Sequence, residues 1–367
     1  MTSDLVAPGI VAQEVGRYLQ KVLGQPVTLT GLTRLGDPQE EQVKGFGYGT
    51  PVRVDYQLAG GERRQAVLHS VGPGAFGHEH WSDRARILLW SHEAFNRLPR
   101  HVHSLDVGGF RQDGAIVSLG KVEELCLLTE YAEGELYATD LNRLRESGRD
   151  NDLDLARGAA LCDYLAEIHA VRGSEPGLYI RRVRELVGDG ECIMGLADSY
   201  PPHPPFDARQ LEAIEHQAVR WRWKLKGFSH RLRQVHGDFH PWNILFGDGT
   251  AFRLLDRSRG EFGDPADDVT CLSMNYVFFS LQRSGRLEGV FEKLFNDFWD
   301  RYLEKTGDRE MLRVAAPYFA FRCLVMASPV WYPALDESVR RMLLAFLLAV
   351  LGEEAFDPYK VNQYCGA

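Results

Sequence analysis

One carboxylate, one carboxamide and a second carboxylate stand at fixed offsets in a short stretch of this chain. The run His236-Gly237-Asp238-Phe239-His240-Pro241-Trp242-Asn243 leads into Ile244, Leu245 and Phe246 and then, past a turn, into Asp256. Gly247, Asp248, Gly249 and Thr250 form a strong turn signal between two short apolar segments, 244–246 and 251–255. Folding that hairpin about its turn returns Asp256 to the neighbourhood of Asn243, with Asp238 in the loop just before. Magnesium takes hard oxygen ligands, a few from protein and the rest from phosphates and water. Asn243 and Asp256 offer one amide oxygen and one carboxylate for such an ion. Asp238 can accept the proton of a hydroxyl, or aim that hydroxyl at a phosphorus. The chemistry is phosphoryl transfer, which gains mainly from placement and charge neutralisation.

The elements that must position this loop fall into two textures. Residues 8–23 carry Val11, Val15, Tyr18, Leu19 and Val22 on one helical stripe. A strand over 27–35 follows, then glycines at 45, 47 and 49, then a segment, 52–58, that alternates like a strand. Gly60 and Gly61 turn the chain into a further strand, 65–71. A helix is expected over 82–97 and strands around 106–110, 115–119 and 125–131. Beyond 132–135 the pattern is mainly helical: Leu155, Cys162, Leu165 and His169 recur at helical spacing, as do Val290, Leu294, Phe298 and Tyr302, and Val339, Leu343, Phe346 and Val350. The expected class is α+β. A small, mainly antiparallel β lobe spans 1–131, a hinge lies at about 127–135, and a larger helical lobe spans 132–367. After the hairpin, Asp264 is a good N-cap and Pro265 a good first helical residue, while Asp267 and Asp268 suit the positive end of the helix dipole.

Composition excludes several classes. With 367 residues, 44% hydrophobic and 25% charged, the chain can bury a large core unaided. A formal net charge of −9 argues against a nucleic-acid binder, which needs a basic stripe, and fits a neutral or cationic small-molecule acceptor better than an anionic one. None of the six cysteines forms a Cys-x-x-Cys pair, so buried free thiols are expected. No basic segment followed by an apolar one opens the chain, and the longest apolar run, 342–351, is about half of what a membrane crossing needs. A cytoplasmic protein is the expectation; the oligomeric state leaves no mark.

The motif, with Asp256 and with Gly263-Asp264-Pro265-Ala266-Asp267, resembles the signature of the aminoglycoside phosphotransferase and choline kinase-like superfamily. An Asp, four residues and then an Asn is also the spacing of the protein-kinase catalytic loop. The close match covers roughly 235–268, with Trp242 where the family often has glycine. The resemblance implies a two-lobed protein kinase-like fold, ATP or GTP, magnesium and a small-molecule hydroxyl acceptor. It casts Asp238 as catalytic base, Asn243 and Asp256 as metal ligands, His236 as organiser of the loop, and Asp264 and Asp267 as supports of the metal site. On the nucleotide side, Gly45, Gly47 and Gly49 would supply the loop over the phosphates, and Glu130 and Tyr131 the hinge that reads the base. The family's strand lysine is missing: His69 stands in its place, with Asp83, Glu79 and Glu93 as candidates for its acidic partner and Asp83 preferred. That departure keeps a second reading open, a nucleotide-binding pseudokinase or scaffold. A protein kinase ranks lower, since no Arg separates His236 from Asp238. The acceptor is expected among the helices after 172, where Tyr179, Tyr200, His203, Trp221 and Trp223 read more readily as core than as a pocket.

Overall fold

The computed structural model describes residues 11–35, 51–74, 77–122, 124–202, 206–257 and 259–366. The chain divides into two compact units, Met1–Thr129 and Glu130–Ala367.

In the first unit an amphipathic helix lies on a small sheet. Helix α1 (Ala12–Leu23) buries Val15 and Leu19 and ends at Gly24, whose left-handed φ of 68° closes it. Strands β1 (Val27–Arg34), β2 (Val52–Leu58) and β3 (Arg63–Leu68) form an antiparallel sheet in that order. The alternation of β2 decides the core: Val52, Val54, Tyr56 and Leu58 all point inward onto Val15 and Leu19. The sequence expectations for α1 and β3 run too long. The helix begins at Ala12, with residues 8–10 outside the described part, and β3 stops at Leu68 instead of reaching 71. Helix α2 (Trp81–Arg97) begins where the Asp83 carboxylate accepts the His80 amide at 2.8 Å. A second hairpin joins β4 (Gly108–Phe110) to β5 (Ile116–Ser118). The strand expected over 125–131 does not form. Leu125, Leu127, Leu128 and Tyr131 are exposed, and the segment pairs with no strand among the described residues. Its apolar residues run consecutively instead of alternating, so they specify no buried face and no register.

The second unit opens on β6 (Glu135–Leu136), α3 (Tyr137–Ser147), α4 (Asp152–His169), α5 (Pro176–Gly188), α6 (Ile193–Ser199) and α7 (Ala208–Leu225). Strand β7 (Arg233–Gln234) leads into the motif, which is followed by β8 (Ile244–Phe246), β9 (Phe252–Leu254) and β10 (Phe262–Gly263). Strands β6, β8 and β9 make one antiparallel sheet, and β7 pairs with β10. The chain then becomes wholly helical: α8 (Ala266–Ser284), α9 (Gly289–Thr306), α10 (Met311–Val314), α11 (Ala316–Ala327), α12 (Glu337–Gly352) and α13 (Val361–Tyr364). Helix α8 is buried on almost every side over 268–281 and packs against α3, α9, α11 and α12, which makes it the axis of the unit. Its first turn therefore cannot drift, and that turn carries Asp267 and Asp268. Tyr179, Tyr200 and Trp221 are core residues as expected, Trp223 is exposed, and His203 lies outside the described residues.

Aromatic packing ties the later helices together. Phe319 of α11 is fully buried, with its ring centroid 6.2 Å from Trp299, 5.4 Å from Phe346 and 4.6 Å from Phe356. Phe319→Ala should cost about 3–5 kcal/mol of the second unit's stability, and Phe319→Leu much less, because only the first leaves a large void. Urea unfolding followed by tryptophan fluorescence measures both.

Candidate active site

The motif loop, residues 236–243, is clamped at both ends and from beneath. At its start, β7 pairs with β10, the Val235 amide donates to Glu261 O at 3.0 Å, and the Arg257 guanidinium donates to Val235 O and Glu261 O. At its end, a 3₁₀ turn over Pro241–Asn243 delivers Asn243 to the β8–β9 hairpin. Beneath it lies Asp268, fully buried on the first turn of α8. One Asp268 oxygen accepts the His236 amide and the other the Gly237 amide, both at 2.7 Å. The His169 Nε2 is 3.1 Å from the first oxygen, and its Nδ1 is 2.8 Å from the Tyr302 hydroxyl. Burial pushes the Asp268 carboxyl up, but the His169 hydrogen bond and the backbone amides outweigh it and hold it below the usual aspartate range. Gly237 adopts a φ of +86°, and a Cβ there would sit 3.0 Å from the Arg259 Cβ, so the turn over Asp268 requires glycine.

The hairpin ties Asp238, Asn243 and the residue before Asp256 into one circuit of hydrogen bonds. The His236 Nδ1 accepts the Asp238 amide at 3.3 Å, so its Nε2 carries the proton and donates to Leu255 O at 3.0 Å. The Leu255 amide in turn donates to Asn243 O at 2.8 Å. Leu255 is thus pinned to the loop at both ends of its peptide unit, and Asp256 is the next residue. Asp256 is exposed and has a φ of +46°, an uncommon conformation for a non-glycine residue and of the kind that clusters at functional sites. The Asn243 Nδ2 donates to Asp238 O at 3.1 Å, which leaves the amide oxygen as the end able to take a cation. A cavity of about 210 Å³ adjoins this circuit, lined by Tyr164, Ile168, Val235, His236, Leu255 and Asp256, among others.

Asp238 itself faces cations. Its Oδ1 accepts Arg322 Nη1 at 2.6 Å, its Oδ2 lies 3.5 Å from His240 Nε2, and Arg259 Nε stands 3.9 Å from Oδ1. Burial pushes the carboxyl up, yet the His240 hydrogen bond and the Arg322 charge prevail and hold it well below the ordinary aspartate range. Arg322, from the middle of α11, also donates to Gly237 O at 3.1 Å and to Asp267 at 2.7 Å. Burial pushes the Asp267 carboxyl up in spite of this arginine. Asp264 caps α8 by accepting the Ala266 amide at 2.9 Å, binds Arg231 through both oxygens and accepts the Tyr179 hydroxyl at 2.8 Å. Asp264 and Pro265 therefore do what the sequence expects of a helix start, one residue before α8.

His69 is exposed one residue beyond β3. Glu130 and Tyr131 are exposed and in no strand. Gly45, Gly47 and Gly49 lie outside the described residues. Asp83 is engaged in capping α2, and Glu93 lies 3.7 Å from Arg97. Among the described residues no group of three His, Cys, Asp or Glu is placed to hold a metal, so the loop histidines form no soft-metal cluster. Sequence reasoning missed Arg322, His169 and Arg259 and did not see Asp268 as the anchor of the loop. The one available signal for Arg322 was a lone charge inside the apolar run 316–327.

With this geometry in view, the comparisons identify the chain. Residues 113–305, just over half of it, match the phosphotransferase enzyme family (APH), and the protein belongs to that family. It is a family of phosphotransferase enzymes. No curated protein matches the chain. Among solved structures, it is similar to a glucosamine kinase in complex with glucosamine, ADP and inorganic phosphate (17% identity, 62% of this chain and 57% of that one, TM-score 0.33). It is also similar to an ethanolamine kinase of Plasmodium vivax (12%, 92% and 80%, 0.34) and to an amicoumacin kinase in complex with AMP-PNP, Ca2+ and amicoumacin (12%, 94% and 96%, 0.39). Likenesses at this level carry no argument about the acceptor. Among the described residues no helix is long and apolar enough to cross a membrane.

Removing Arg322 leaves Asp238 and Asp267 buried without their common partner. Arg322→Met should cost about 3–5 kcal/mol at neutral pH, and less when Asp238→Asn is already present. The pH dependence has a definite sign. Asp238 and Asp268 are held below the ordinary value of 3.8, so their stabilisation is complete above it and fades only as pH falls below it. In Arg322→Met, Asp238 loses part of what opposes burial, and the acid loss of stability should begin at higher pH. Thermal melts across the acid range in the two proteins check this.

Proposed function

We propose that this protein is a small-molecule kinase that transfers the γ-phosphate of magnesium-bound ATP or GTP to an alcohol hydroxyl. The observation that supports it most is the circuit in which His236 and Asn243 both bond to Leu255, gathering Asp238, Asn243 and Asp256 around one hairpin. In this reading the fold is a two-lobed protein kinase-like one. The first unit handles the nucleotide through the glycines at 45, 47 and 49 and His69, and Glu130 and Tyr131, at the start of the second, read its base. The second holds the catalytic loop and the acceptor. The six free cysteines fit a reducing compartment, the cytoplasm.

The residues present fit the metal. Asn243 and Asp256 would hold it through an amide oxygen and a carboxylate, a sparse hard-oxygen set that leaves room for phosphates and water. When bound, it neutralises charge on the transferring phosphoryl group. The chain's own work lies in Asp238. Its carboxylate accepts the acceptor's hydroxyl proton in a hydrogen bond and aims the oxygen at the phosphorus. As the new oxygen–phosphorus bond forms, the bond to the departing nucleoside diphosphate breaks, and the hydroxyl proton passes to Asp238 and on to solvent. Because His240 and Arg322 keep Asp238 ionised, it is always ready to accept, and it holds the proton only briefly. Positioning therefore outweighs basicity in this site.

A second reading rests on His69: a nucleotide-binding protein without transfer. Two variants separate the readings. Asp238→Asn should keep magnesium-dependent ADP binding, seen as a thermal shift, while ATP turnover drops by about 10²- to 10⁴-fold. Asp256→Asn should lose the magnesium dependence of that shift. Wild-type turnover in Asp238→Asn contradicts the assignment of the base. ADP binding with no turnover in the wild type, over a broad set of alcohols, favours the second reading.

A further inference from the structure

Arg259 is a nearly buried cation that lacks a close counter-charge, and it sits against the candidate base. Its side chain is 18% exposed. The nearest carboxylate oxygens are Asp238 Oδ1 at 3.9 Å, already taken by Arg322, and Glu191 Oε2 at 4.0 Å, on a side chain that is 81% exposed. Its Nη1 meets the Cys192 Sγ at 3.3 Å. Burial pushes that thiol up to about 11, so it offers no negative charge. The Arg259 Nε is buried without a hydrogen-bond partner among the described residues. A guanidinium in this position is costly unless something anionic completes it.

The surroundings hold Arg259 in place. The Phe321 ring meets two guanidinium groups, 4.8 Å from that of Arg259 and 4.5 Å from that of Arg322. Gly237, whose missing side chain admits the Arg259 stem, is the residue before Asp238. Both Nη groups of Arg322 are already taken by Asp238, Asp267 and Gly237 O, and only its Nε, like that of Arg259, lacks a partner among the described residues. The cation left to meet a ligand beside Asp238 is thus Arg259, and its planar fork matches an oxyanion.

We propose that Arg259 is the specificity residue of an anion-recognising acceptor subsite beside Asp238, so that the acceptor is an alcohol bearing a carboxylate or phosphate. The proposal rests on the phosphotransferase reading of the Asp238 site and names its substrate class. It reverses the inference from net charge. A formal charge of −9 is a sum over the whole surface, whereas beyond about 8 Å at physiological salt exposed charges are screened from the site. What a ligand meets beside Asp238 is local, and there Arg259 is the guanidinium whose nearest carboxylate oxygens are 3.9 and 4.0 Å away.

The test uses the full chain with magnesium and ADP, and four probes of similar size: glycerate, glycerol 3-phosphate, glycerol and serinol. Titration calorimetry should show at least one of the two anionic probes binding about 10- to 100-fold more tightly than the neutral and cationic ones. Which anion is preferred separates a carboxylate acceptor from a phosphorylated one. Arg259→Gln should abolish the preference and keep ADP binding, and Arg259→Lys should retain part of it. A melt of each variant guards against misfolding, and the wild-type order alone decides if Arg259→Gln does not fold. Equal or better binding of glycerol or serinol overturns the subsite, as does no binding of either anion. So does an Arg259→Gln protein that loses affinity for ATP but not for the anions, since Arg259 would then serve the nucleotide. Loss of magnesium-dependent ADP binding in the wild type instead sinks the phosphotransferase reading itself, so the two failures are distinguishable.

Discussion

The carboxylate of Asp268 is the constraint on which the rest of the site depends. It accepts two consecutive backbone amides, from His236 and Gly237, at 2.7 Å each, while fully buried. Consecutive amides converge on one carboxylate only when the chain turns sharply, and the left-handed φ of Gly237 supplies that turn. Asp238 leaves the turn already aimed. The buried charge is tolerable because the amides and His169 satisfy both oxygens, and because the positive end of α8 lies at the same place. The axial position of α8 therefore serves the loop: a helix buried on almost every side carries the anchor.

Three aspartates at that helix start do three different jobs. Asp264 closes the helix and holds Arg231, which joins it to Asp308. Among the described residues the Asp267 carboxylate accepts a hydrogen bond from Arg322 alone, and burial prevails, so its carboxyl is pushed up. Asp268 receives two amides and an imidazole and is pushed down. Neighbouring residues of one type, one peptide apart, acquire opposite proton affinities because donor count, more than burial, differs between them.

What was legible in the sequence was what is local. The β8–β9 hairpin is specified by 247–250, and its folding places Asp256 beside Asn243 without reference to any other part of the chain. Strand β2 reads correctly to the residue because its alternation is complete. The segment 125–131 reads as a strand and is not one, since composition without alternation sets no face. Arg322 was out of reach for a different reason. Its partner Asp238 lies 84 residues earlier, and no periodicity links a helix interior to a loop across that span. Asp268 was visible as an acid at a helix start, but a cap-like acid and a loop anchor look the same until the loop is seen to pass over it.

The arginine on Asp238 also constrains the base proposed for this site. A carboxylate that must remove a proton early gains from a raised proton affinity. Arg322 and His240 do the reverse, holding Asp238 ionised. A site built this way suits a reaction in which the hydroxyl proton leaves late, after the phosphoryl group has largely separated from its donor. Then the useful property of the carboxylate is its direction. Arg322 fixes that direction from one side and the turn over Asp268 from the other, so Asp238 is held at two points by elements that do not move with the substrate.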